Sequence, residues 1–313
     1  MMLSFFQNPK TKVISAICLI LVFAILPFLK VPAVWFLYIF LFFIYLSLAN
    51  MWHLLAGYSG LISLCQPAFI GLAGYALVII TWSGLPFYWG IIAGGIVCGL
   101  FALLISIPVF RLSGIYFAIG TLVVPEVLRV IFLLWRPVGG ALHGGGAGYR
   151  LKGVEGLDMT EIYWMALAIG VASIFIMRFI LKSSLGLGLA AIRDNADTAA
   201  SSGIHVFKLK LFSFVVGAVV TGIAGSIFFI YQKYIEPTSA FSIRWTMILM
   251  LSAVIGGLGV ETGPIIGTIV VVFLHFFLAK YAGWSLLLQG FMLIIVMLLV
   301  PRGIMGFTIK KSQ

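Results

Sequence analysis

The chain has 313 residues, of which 63% are hydrophobic and only 9% are charged. A soluble domain carries roughly 25% charged residues, so an ordinary water-soluble globular domain is ruled out. The formal net charge of +11 reads as Lys and Arg gathered in loops on one side of a membrane, and no nucleic-acid partner is expected.

A membrane span needs about 20 predominantly apolar residues. Lys10 and Lys12 precede Val13–Leu29, which is long and lacks a clean small-x-small cleavage site, so it reads as an uncleaved first span. Lys30 and Pro32 close it. The second span is Ala33–Asn50. Met51–Cys65 is then broken up by Gly57, Tyr58, Ser59, Gly60 and Ser63. The third span is about Pro67–Trp82 and the fourth Phe87–Ile107, followed by Arg111. The fifth, Gly114–Trp135, holds Glu126 and Arg129. A Gly-rich outer loop covers about 136–160, and Ile162–Leu181 is the sixth span. A polar stretch, about 183–209, precedes the seventh, Leu211–Tyr231. The eighth, Trp245–Ile255, is short and runs into Gly256-Gly257-Leu258-Gly259. Pro264–Ala279 and Ser285–Val300 complete the set. The pattern predicts an all-α polytopic membrane protein, one transmembrane domain over 1–313, with about ten transmembrane helices and interrupted segments.

With the N-terminus in the cytoplasm, Lys10, Lys12, Arg111, Lys182, Arg193, Lys208, Lys210, Arg302, Lys310 and Lys311 lie inside. Lys30, Arg136, Arg150, Lys152, Lys233, Arg244 and Lys280 lie outside. The excess inside favours this orientation, with both termini and the polar stretch cytoplasmic.

The polar stretch is the segment least suited to lipid. Asp197 is a good N-cap and Gly203 a good C′ residue for a helix of one to two turns, with Ala199 and Ala200 as a small surface able to sit in a partner's cleft. Arg193 and Asp194 can set its orientation. The other reading is a solvated connector.

Irregular backbone at membrane depth must be buried in protein or line a watery cavity. Two stretches look interrupted, Gly57–Gly74 and Gly256–Gly267. Ser63 and Gln66 read as path-lining, whereas Gly71 and Gly74 read as close helix packing. Glu126 and Arg129 share a helix face, either as a path or gate position or as a structural ion pair. A lone proton-carrying Glu126 is a third reading, opposed by the nearby Arg129.

No Gly-x-x-x-x-Gly-Lys-Ser/Thr run exists, so the glycines of 139–148 do not form a P-loop. His53, His143, His205 and His275 are scattered without ligand spacing, and they read as structural. Cys18, Cys65 and Cys98 sit in apolar stretches and suggest neither a disulfide framework nor a zinc site. No catalytic residue, no metal site and no cofactor bound by this chain is expected.

Five motifs occur in order. They are Gly57-Tyr58-Ser59-Gly60-Leu61-Ile62-Ser63-Leu64 with Ala68-Phe69, Gly71 and Tyr75; Gly114-Ile115-Tyr116-Phe117-Ala118-Ile119 with Glu126, Leu128 and Arg129; Gly186 through Gly203-Ile204; Gly256-Gly257-Leu258-Gly259 with Gly263-Pro264 and Gly267; and Pro301-Arg302-Gly303-Ile304 with Gly306. Together they resemble the LivM-type permease of branched-chain amino-acid ABC importers, from about Gly57 to Phe307.

The resemblance implies a permease subunit in a bacterial-type inner membrane. It implies pairing with a second homologous permease, two cytoplasmic ABC ATPases that use ATP and Mg, and an extracytoplasmic substrate-binding protein. It also implies that Asp197-Thr198-Ala199-Ala200-Ser201-Ser202-Gly203 is the ATPase-coupling loop, with Arg193 and Asp194. Gly57, Tyr58, Gly60, Ser63, Gln66, Glu126, Arg129, Gly256, Gly257 and Gly259 are the candidate translocation-path residues.

The chain departs from the family's pattern. Cys65-Gln66-Pro67 replaces a Gly-His-Ala run, Leu61 replaces a usual Gln, and Pro137-Val138-Gly139-Gly140-Ala141-Leu142-His143 replaces Thr-Gly-Gly-x-x-Gly-Leu. These changes bear on substrate more than architecture, so urea, amides or another small polar solute are the alternative cargo. An ion-coupled secondary carrier is the alternative machine. It would not need a coupling loop.

Overall fold

The structure, a computed structural model, describes residues 20–29, 32–140 and 143–278. Nearer the C-terminus it describes 287–288, 290–291, 294–295, 298 and 303–305. The start of the first expected span, most of the tenth, Cys18, Lys30, Lys280, Pro301-Arg302 and Gly306 lie outside these residues.

The helices are α1 (Ile20–Leu29), α2 (Ala33–His53), α3 (Gln66–Trp82), α4 (Phe87–Val109), α5 (Ile115–Leu134) and α6 (Met159–Lys182). They continue as α7 (Ser184–Asp194), α8 (Ala196–Ser201), α9 (Val206–Gln232), α10 (Pro237–Ala240), α11 (Ile243–Gly256) and α12 (Gly263–Leu278). Among the described residues, six helical stretches are long and apolar enough to cross a membrane: Ala33–Tyr58, α4, α5, α6, α9 and Pro237–Gly256. Ile20–Leu29, α3 and the α12 region are shorter apolar helices. The chain is thus an all-α polytopic membrane protein.

The helix ends follow sequence signals. Pro86 and Pro32 precede α4 and α2, where a missing N–H costs nothing. Ser183 and Ser242 cap α7 and α11, accepting from the N–H groups of Leu185 and Arg244. α7 was not expected as a helix of its own. Gly186 and Gly188 lower its intrinsic propensity, but Gly186 packs against Leu181 and Gly188 against Leu209, so tertiary contact decides.

α2 and α9 form the interior. Phe40, Ile44, Leu48, Met51 and Trp52 of α2 are fully or almost fully buried, as are Phe214, Ala224 and Ile230 of α9. Helices approach closely where small residues face each other: a Cβ at Gly222 of α9 would lie 2.6 Å from Cys98 Sγ of α4. α6 packs along α2, where Asn50 Nδ2 donates to Ser173 Oγ at 3.0 Å. α5 stands apart. Its buried residues Phe117, Thr121, Pro125, Leu128 and Phe132 make a single stripe, and the rest of its surface is exposed or half-buried.

Among the described residues there is one short β pairing. Tyr149–Arg150 pairs antiparallel with Tyr234–Ile235, tying the Gly-rich loop to the corner after α9. Trp82 Nε1 donates to the Arg150 carbonyl at 3.0 Å, and the Lys152 ammonium lies 3.7 Å from the Trp82 ring centre. α6 separates this loop from α7 and α8, so they occupy opposite ends of the bundle.

Candidate functional site

At the end of α2 the helix widens into a π turn, Leu54–Tyr58, and stops. Gly60, at φ 69°, turns the chain back. Residues 59–65 then run beside the last turns of α2, and α3 begins only at Gln66. The backbone groups freed by this break are satisfied by side chains. Trp52 Nε1 donates to the Ser63 carbonyl at 2.8 Å, and the Leu64 N–H donates to Thr121 Oγ1 of α5 at 3.0 Å. Thr246 Oγ1 of α11 donates to the Leu64 carbonyl at 3.5 Å. The interruption expected over Gly57–Gly74 is a real break at its start, braced by three helices, but it ends at Gln66, and Gly71 and Gly74 lie inside α3.

The second interruption lies between α11 and α12. Gly257 and Gly259 adopt φ of 113° and 83°. α12 returns so closely that a Cβ on Gly256 would collide with the Gly263 carbonyl, and one on Gly267 with the Ser252 carbonyl. Gly303 packs against Gly257 in the same way.

The two breaks meet. Tyr58 Oη donates to the Gly259 carbonyl at 3.2 Å. A Cβ on Gly57 would lie 3.1 Å from Gly259 N and 3.0 Å from His53 Cε1, so glycine is what permits the approach. His53 is fully buried, with its ring edge-on to Tyr58.

The polar stretch reaches the same place. α7 follows α6 after Ser183 alone, and α8 follows α7 after Asn195 alone. The cap of α8 is Asn195, not Asp197: Asn195 Oδ1 accepts from the Asp197 and Thr198 N–H groups, each at 3.0 Å. Extended backbone at Asn195, forced by the end of α7, puts its amide there and leaves Asp197 inside the first turn, where its charge suits the helix dipole. Gly203, at φ 84°, ends the element as expected. Ala199 is buried against its own chain, so of the two alanines only Ala200 faces outward.

Arg193, at the end of α7, donates from Nη1 to the Gly57 carbonyl at 2.9 Å and pairs with Asp194 at 3.2 Å. Its side chain passes over Gly60 and ends beside Gly259. Arg178, near the end of α6, pairs with Glu261 of the α11–α12 loop at 3.4 Å. Sequence reasoning assigned no part here to Glu261, Arg178 or Trp52, and read His53 only as a structural residue. An acid inside an apolar stretch was the available signal for Glu261.

The remaining candidates separate. Glu126 and Arg129 pair within α5 at 2.7 Å and point off its buried stripe, so among the described residues the pair clamps no neighbouring helix. Ser63 and Gln66 are buried in the interior, Ser63 Oγ lying 3.0 Å from Cys65 Sγ. Gly71 packs on the Phe241 ring and Gly74 on Phe229 and Ile235, a packing role. Among the described residues no three His, Cys, Asp or Glu side chains gather in a metal-binding group.

A family model described as the permease component of the branched-chain amino acid transport system matches residues 34–301. The high-affinity branched-chain amino acid transport system permease protein LivM of Salmonella typhimurium is 25% identical over 291 residues, covering 85% of this chain and 68% of that protein. The LivM protein of Escherichia coli gives the same identity and coverage. A probable branched-chain amino acid transport permease protein LivH of Methanocaldococcus jannaschii is 25% identical over 174 residues, 53% of each chain. No solved structure matches.

Proposed function

This chain belongs to the family of permease components of the branched-chain amino acid transport system, and we propose that it is one of two membrane subunits of an ATP-driven importer of leucine, isoleucine and valine. The match across residues 34–301 carries this reading. The chain contains no P-loop, so hydrolysis of ATP with Mg falls to two partner ATPases in the cytoplasm, and an extracytoplasmic binding protein delivers the substrate. The permease itself is not an enzyme. It lies in an inner membrane with both termini and α7–α8 on the cytoplasmic side, the Gly-rich loop opposite, and about ten spans once the shorter apolar helices and the C-terminal stretch are counted.

Within this reading α8 is the ATPase-docking element, exposed except at Ala199 and Ala196, with Ala200 as its outward small residue. α5 supports the pairing with a second permease. An ion pair at mid-helix is costly against lipid, and Glu126–Arg129 lies on the open face of a helix that its own chain covers on one stripe only. A homologous permease or the aqueous path between the two subunits covers that face.

Affinity purification of the tagged chain from native membranes tests the reading. Recovery of a second polytopic permease and P-loop ATPases, the latter lost in Ala200→Trp, with uptake of labelled leucine in reconstituted vesicles, is the expected result. A chain recovered alone removes the importer reading. Uptake of urea without leucine moves the cargo to the alternative class.

A further inference from the structure

One side chain of the α7–α8 element touches both broken helices. The Arg193 guanidinium donates to the Gly57 carbonyl at 2.9 Å, at the turn where α2 ends. Its aliphatic part lies on Gly60, where a Cβ would be 3.5 Å from both Arg193 Cα and Cγ, and its Nη1 would be 3.1 Å from a Cβ on Gly259. Gly57 and Gly259 themselves meet, and Tyr58 Oη bonds the Gly259 carbonyl. A second contact supports the same loop from the same arm of the molecule: Arg178 of α6 holds Glu261 at 3.4 Å.

We propose that Arg193 is the positioning residue that makes the two breaks move with α7. This rests on the reading of α7–α8 as the ATPase-docking element. A π turn is a weakly hydrogen-bonded place in a helix, and the Gly57 carbonyl there is freed by it. A charged donor on that carbonyl is a stronger tie than a neutral one. Displacement of α8 by a partner is carried rigidly into α7, because Asn195 is the one residue between them. Arg193 then draws the end of α2 and the α11–α12 loop together with it. Asp194, paired with Arg193 at 3.2 Å, holds the guanidinium in the orientation that reaches Gly57. Docking and transmission are thereby separate tasks, one at Ala200 and the other at Arg193.

The complete complex of both permeases, ATPases and binding protein, reconstituted in vesicles, tests this through the number of leucine molecules moved per ATP hydrolysed. Arg193→Met keeps the length and removes every donor, and it is expected to lower that ratio by about tenfold or more, the scale of one charge-assisted hydrogen bond. Arg193→Lys, with charge and a donor retained, is expected to stay within about threefold of the native ratio. Should Arg193→Met not yield a monodisperse complex, Arg193→Gln, which keeps neutral donors, takes its place with an expected intermediate ratio.

An unchanged ratio in Arg193→Met overturns the proposal. So does a parallel fall of transport and hydrolysis with the ATPases lost from the complex, which makes Arg193 a docking residue and leaves the importer reading standing. Absence of ATPases from the native complex overturns both.

Discussion

The two breaks in this bundle solve one problem with different chemistry. The break after α2 is held by donors and acceptors on side chains from elsewhere: Trp52, Thr121, Thr246 and Arg193 each serve one of its backbone groups. The break between α11 and α12 has few such partners. It closes on itself through glycines, Gly256 against Gly263, Gly267 against the Ser252 carbonyl and Gly257 against Gly303. The first responds to what its neighbours do and is short of room only where Gly57 meets His53 and Gly259. The second is intolerant of size and indifferent to most of its neighbours. A segment that must be steered is better built in the first way, and a fixed corner in the second.

Four substitutions break or sharpen this contrast. The largest effect is expected at the glycine corner. Gly267→Val places side-chain atoms on the Ser252 carbonyl with no room to shift, and the tagged protein should lose its monodisperse peak in detergent gel filtration. A normal peak would end the claim that this corner is steric. At the polar break, Trp52→Phe should leave the chain folded but lower its stability by about 1–3 kcal/mol, read as a reduced thermal midpoint, because the buried Ser63 carbonyl loses its donor. Thr121→Val, which keeps shape and removes the acceptor for the Leu64 N–H, should cost about 1–2 kcal/mol by the same measurement. Tyr58→Phe removes only the half-buried bond between the two breaks and should cost about 0.5–1 kcal/mol. A Tyr58 effect larger than that of Trp52 would reverse the picture and make the breaks one unit held by their contact.

How much of this was legible in advance follows the range of the signal. Gly57, Gly60 and Gly256–Gly259 mark the breaks because lipid-spanning helices tolerate such clusters only where something covers the backbone. The span boundaries of α3, α4 and α5 follow from apolar length and flanking Pro and Gly, and the structure places them within a few residues. The meeting of the breaks had no local signature, since Tyr58 and Gly259 are 201 positions apart. The cap of α8 was misplaced for a related reason. Asn195 and Asp197 are equally suitable by type, and only the extended turn left by α7 selects Asn195. The pairing of Tyr149–Arg150 with Tyr234–Ile235 is too short to leave any alternation to read.

The elbow at Ser183 has a mechanical consequence. Its N–H still bonds back to Ile180 at 3.1 Å while its hydroxyl caps α7, and Gly186 lies tight against Leu181, so the angle between α6 and α7 has little room to flex. The pair therefore behaves as a bent crank. α6 has 24 residues and is about 36 Å long at about 1.5 Å per residue. Tilting such an arm by about 5° carries its far end on the order of 3 Å. A small push on α8 would thus arrive, enlarged, beneath the Gly-rich loop at the other end of the molecule.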